Sequence, residues 1–89
     1  MEIIRILKNI IDSDEYPTEE TFASAKSAMN QIRGKEYYNM VFRCFVAMED
    51  ITEKQGSIYM IKRMATTALD LCEPKRYGQE GATTMVTSN

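Results

Sequence analysis

Apolar residues recur along most of this chain at the three-and-four spacing of a helix face, and the interruptions fall at proline, glycine and acidic clusters. Residues 2–12 place Ile3, Ile6, Leu7 and Ile10 on one such face. Ile4 and Ile11 widen it, and Arg5, Lys8 and Asp12 stand between. An isoleucine-rich run also suits a strand, but period-two alternation is missing and no second strand offers a pairing partner, so a helix is predicted. Residues 12–18 read as a loop. Pro17 holds Tyr16 extended, because its ring crowds the α conformation of the residue before it. Thr18 can then cap a helix whose first turn carries Glu19 and Glu20, where the helix dipole favours anions. Phe22, Ala25, Met29 and Ile32 continue its apolar face, and the helix is expected to end near Gly34.

The stretch 35–51 is the most apolar. Tyr37, Val41, Cys44, Met48 and Ile51 form one stripe, while Tyr38, Met40, Phe42, Phe45, Val46 and Ala47 spread around the rest. A helix apolar on nearly every side needs burial on nearly every side, and one small chain offers little material for that. Self-association is the expectation that follows. Farther on, Ile58, Ile61, Ala65, Ala68 and Cys72 define another helical face. Thr52 and Gln55 match a capping box, so a new helix could begin there. Alternatively one helix runs over 36–73, about 57 Å long at 1.5 Å per residue. With no proline or glycine pair to force a turn, the continuous form is favoured. Pro74 should stop it, leaving residues 75–89 as a polar, mobile tail. The expected architecture is all-α: a small bundle of three to four helices forming a single domain over residues 1–74, assembled as a homo-oligomer.

Composition narrows the function more by exclusion than by indication. With 89 residues, 44% apolar, 27% charged and a net charge of −2, the chain has no electrostatic reason to coat duplex nucleic acid or an anionic membrane. No run approaches the roughly 20 apolar residues of a membrane span. The opening residues lack the basic leader of a signal peptide, so a cytoplasmic location is expected. Cys44 and Cys72 each lie in an apolar helical pattern and read as buried free thiols. There is no histidine, Gly-rich phosphate loop or nucleophile elbow, and the acids of residues 12–20 fit a solvated surface. Neither catalysis nor a bound cofactor or metal is expected.

What remains is binding. Residues 12–20 hold five acids and no base, whereas Lys26, Arg33 and Lys35 give residues 21–35 a basic surplus, and Lys62-Arg63 and Lys75-Arg76 add two small clusters. Such clusters suit a few phosphates, which arginine grips with a planar fork, or are ordinary surface charge. Tyr16, extended before a helix N-terminus, could offer a flat face to a base or could pack against Ile10 or Phe22. Methionines 29, 40, 48, 60 and 64 could line an adaptable groove, but core filling is the preferred reading.

Two segments carry a resemblance. Tyr16-Pro17-Thr18-Glu19-Glu20 is followed by Met29-Asn30-Gln31-Ile32-Arg33, and Phe45-Val46-Ala47-Met48 by Gln55-Gly56 and Ile58-Tyr59-Met60-Ile61-Lys62. In order and internal spacing they resemble the phage anti-CBASS proteins of the second type, small helical sponges for the cyclic oligonucleotide messengers of bacterial immunity. The resemblance implies a hexamer that binds cyclic dinucleotides without cleaving them in the bacterial cytoplasm. Tyr16 would stack on a base, and Arg33, standing where lysine is usual, would pair with a phosphate. Lys62 would fall where the family has a basic residue associated with a larger-ring nucleotide. Lys26, in the same basic surplus as Arg33, completes the expected ligand-binding set: Tyr16, Lys26, Arg33 and Lys62. The alternative is a helical protein-interaction module or inhibitor docking on a host protein.

Overall fold

The structure is a computed structural model and describes residues 1–73. The expected stop at Pro74 and the tail over 75–89 lie outside the described residues. Four α-helices follow one another: α1 (Glu2–Asp12), α2 (Glu19–Ala28), α3 (Tyr38–Glu53) and α4 (Ile58–Cys72), with a 3₁₀ turn at Met29–Ile32. Among the described residues there is no strand, so the all-α bundle stands, at four helices.

Neighbouring helices run antiparallel. Lys8 pairs with Glu73 at 3.4 Å while Asp14, just past the other end of α1, pairs with Lys62 at 3.0 Å, so α1 and α4 run in opposite senses. The 3₁₀ turn after α2 folds back to the start of α1, where the Gln31 side chain accepts the Ile3 N–H at 3.2 Å. That bond satisfies one of the first-turn donors that every helix leaves open. The most extensive interfaces are those of α4 with α3 and with α1; α2 is more lightly attached.

The predicted faces form the core. Ile3, Ile6, Leu7 and Ile10 of α1, then Phe22, Ala25, Met29 and Ile32, are buried, as are Val41, Cys44 and Met48 of α3 and Ile61, Ala65, Ala68 and Cys72 of α4. Each large aliphatic side chain so buried is worth roughly 1.5–3 kcal/mol. No polar or charged residue is buried among the described residues, so shape alone sets the core's packing. Ala65 and Ala68 of α4 are fully covered. Both cysteines are buried free thiols.

Two expectations about helix ends are corrected. The helix capped by Thr18, whose Oγ1 accepts the Thr21 N–H at 3.1 Å, ends at Ala28 rather than near Gly34. Its apolar face continues through the 3₁₀ turn, and Gly34 takes a left-handed φ of 95° in the following turn.

The second correction is larger: residues 36–73 are not one helix. The Gly56 N–H donates to the Ile51 carbonyl at 2.8 Å and the Gln55 N–H to the Thr52 carbonyl at 3.1 Å. This is a Schellman closure, which consumes the carbonyls a continuing helix would need. Gln55 itself occupies the left-handed position at φ 54°, where glycine is usual. A Cβ on Gly56 would lie 3.0 Å from Ile51 Cγ2, so the small residue serves close approach to α3 instead. Nor is Thr52 a helix cap. Its hydroxyl donates back to the Met48 carbonyl at 2.8 Å, and Ser57 caps α4 by accepting the Met60 N–H at 3.3 Å.

Candidate functional site

The α1–α2 loop is tied to the α3–α4 corner. Ser13 ends α1 in an extended conformation and its Oγ accepts the Glu15 N–H at 3.1 Å, which turns the chain toward Tyr16. The Tyr16 hydroxyl donates to the Gly56 carbonyl at 2.5 Å, and two residues earlier Asp14 receives Lys62. Two of the four sequence-predicted ligand residues, Tyr16 and Lys62, are therefore brought to one end of the bundle. Tyr16 is 36% exposed, so its ring is reachable although its hydroxyl is engaged.

Beside Tyr16 lies an open groove of about 230 Å³ between α1 and α2, lined by Asn9, Ser13, Glu15, Pro17, Thr18 and Thr21 among others. Asn9 and Thr21 are shared with a second hollow of about 240 Å³ that reaches Arg5, Glu20 and Ser24. The two make one polar furrow. Its electrostatics are not those of a phosphate site. Arg5 is held by the Glu2 carboxylate, a hydrogen bond that lowers the Glu2 pKa and raises that of Arg5. Glu15 and Glu20 add negative charge to the walls.

The other two residues do not join Tyr16. Lys26 pairs with Glu49 of α3 at 3.4 Å. Arg33 clasps Asn30 Oδ1 through Nη2 at 2.7 Å and Nε at 3.3 Å. It follows the 3₁₀ turn at the far end of α2, about 23 Å along the helical segment from Thr18 by helix rise alone. Tyr16 and Arg33 thus stand at opposite ends of α2 and share no contact in the chain.

The exposed apolar side chains lie on a different surface, that of the stretch whose all-round apolarity led to the expectation of self-association. α3 is buried on one face only, and Met40, Phe42 and Val46 are 51%, 42% and 46% exposed. Met60 of α4 is 44% exposed, and Met64 and Leu71 are half-buried. Core filling is thus right for Met29 and Met48 but not for Met40 and Met60. The all-round apolarity of residues 35–51 pointed to this surface on α3, whereas Met60 of α4 was expected in the core.

Neither cysteine is poised for chemistry, since burial pushes both thiols above their ordinary pKa. Among the described residues no group of three or more His, Cys, Asp or Glu could hold a metal ion, and no helix is long and apolar enough to cross a membrane. No family model matches this chain, nor does any curated protein or solved structure.

Proposed function

We propose that this chain is a non-enzymatic helical binding protein that works as an assembly of identical copies. In a bacterial host cytoplasm it would sequester a cyclic dinucleotide in a cleft between subunits. The observation that carries the assembly is the apolar outer surface of α3 and α4, left uncovered by a bundle whose core is already closed. Because Tyr16 and Arg33 stand at opposite ends of α2, the cleft in this reading joins one copy's tyrosine to another's arginine. Tyr16, Lys26, Arg33 and Lys62 each hold an internal partner, so ligand binding exchanges these bonds for new ones. Base stacking on Tyr16 would contribute roughly 1–3 kcal/mol and a charge-assisted bond from Arg33 to phosphate somewhat more than a neutral one.

Calorimetric titration with 3′,3′-cyclic GMP–AMP tests the ligand. Saturable heat that disappears in both Tyr16→Ala and Arg33→Ala supports the reading; absence of heat and of any thermal shift removes the nucleotide from it.

A second reading has its own observation. Glu19 and Glu53 line a hollow of about 250 Å³ with Pro17, Phe22 and the Lys26-paired Glu49, a charge suited to a basic side chain of a protein partner. Recovery of one stoichiometric host protein, with no nucleotide bound, would favour a docking module or inhibitor.

A further inference from the structure

Helical spacing shows which sides of α3 and α4 remain bare. On α4, Lys62 and Glu73 reach toward α1, through Asp14 and Lys8. Met60, Met64 and Leu71, at intervals of four and seven, fall on the opposite flank, toward α3. On α3, Glu49 reaches Lys26 of α2, while Met40 and Ala47 fall on the flank toward α4. The outer surface between these flanks carries Phe42, Arg43, Val46 and Asp50. At the same helical spacing stand the exposed Asn39, Glu53 and Lys54, so the face mixes the apolar Phe42 and Val46 with two cations and two anions.

We propose that this outer face of α3 is the contact surface for a second copy of the chain, packed antiparallel about a two-fold axis near Val46 and Ala47. The charges select this occupant. Arg43 and Asp50 are seven residues apart, two turns on one side of the helix, and their midpoint lies between Val46 and Ala47. Antiparallel superposition of two α3 helices on that midpoint sets each Arg43 against the Asp50 of the other copy. One surface is then complementary to itself, as a two-fold contact requires. Arg43 is exposed and has no ion pair among the described residues, while Asp50 holds only the exposed Lys54, at 3.2 Å. Ala47 is the small residue that lets the two backbones approach at the crossing. Val46 lies near the centre of the contact, with Phe42 at its edge toward α2 and Met40 and Met60 at its edge toward α4.

This rests on the proposed assembly and deepens it by naming the surface. Sedimentation equilibrium on the full chain is the test, with circular dichroism confirming that every variant stays helical. The wild-type chain should sediment as a dimer or a multiple of one. Arg43→Glu and Asp50→Arg, each creating two like-charge contacts, should each weaken association by on the order of a hundredfold. The double variant should recover most of that loss, which no unrelated interface would do. Val46→Glu should leave a folded single chain. A folded wild-type monomer at high micromolar concentration, a dimer indifferent to Val46→Glu, or absence of recovery in the double variant each overturns the inference. Nucleotide heat from such a monomer would overturn this surface and the assembly while leaving the ligand. A dimer without nucleotide heat does the reverse.

Discussion

Replacing Ser57 by alanine gives opposite results according to whether residues 36–73 form two helices or one. In the two-helix structure Ser57 is the N-cap of α4: it is extended, at φ −73° and ψ 124°, and its Oγ accepts the Met60 N–H. Alanine there removes the acceptor and leaves a first-turn donor to water, at a cost of about 1 kcal/mol. For a domain of this size that lowers Tm by about 4–8 °C. If the chain were continuously helical, Ser57 would be an exposed interior position, and alanine would stabilise it by up to about 0.5 kcal/mol through its higher helix propensity. The signs differ, so the experiment needs no fine calibration. Thr52→Ala is the matched control. Its hydroxyl only bonds back to Met48 within α3, so the change should stay within about 0.5 kcal/mol of zero. Urea and thermal unfolding followed by far-ultraviolet circular dichroism, at equal protein concentrations, read both variants. A stabilised Ser57→Ala, or a Thr52→Ala that loses 1 kcal/mol or more, refutes the corner described between α3 and α4.

Further outcomes follow from individual contacts. Gln55→Gly should stabilise the chain by about 1 kcal/mol, because glycine occupies a left-handed φ without the Cβ clash that glutamine bears; an unchanged urea midpoint counts against that geometry. Tyr16→Phe should cost about 0.5–1.5 kcal/mol by deleting the bond to Gly56, and Lys62→Met under 1 kcal/mol because Asp14 is almost fully solvated. A larger loss in the lysine variant than in the phenylalanine one would invert the ranking and defeat it. Cys44 and Cys72 should resist a thiol reagent in the native chain and react at once in denaturant. Burial raises their folded pKa above the unfolded value. The stability they contribute is therefore complete below the ordinary thiol pKa of about 8.5 and is lost as pH rises through the folded value. Titration of stability between pH 7 and 10 checks the sign, which a rise would contradict.

The inner faces were legible because burial follows helical periodicity directly: Ile3 through Ile10, Phe22 through Ile32, and Ile61 through Cys72 were read from spacing and are covered. The corner was not. Its decisive element is a glutamine in a conformation that glutamine rarely adopts, with a serine two residues later taking the capping role that Thr52 and Gln55 imitate. Gly56 stands at the corner for its close approach to Ile51 and not for a left-handed conformation. Of the candidate site, the neighbourhood of Tyr16 was legible from proline and a helix start. The bond to a carbonyl forty residues away was not, because tertiary proximity leaves no trace in local pattern.

The alanines at the heart of α4 set a limit of another kind. Ala65 and Ala68 have no accessible surface, and the helix carrying them forms the bundle's two broadest interfaces. Being small and fully covered, they let neighbouring side chains come close to the backbone of α4. An added methyl group at either position would have to displace atoms that already cover it completely. Variation should therefore collect on the lightly held second helix, while the seam through these two positions admits almost none.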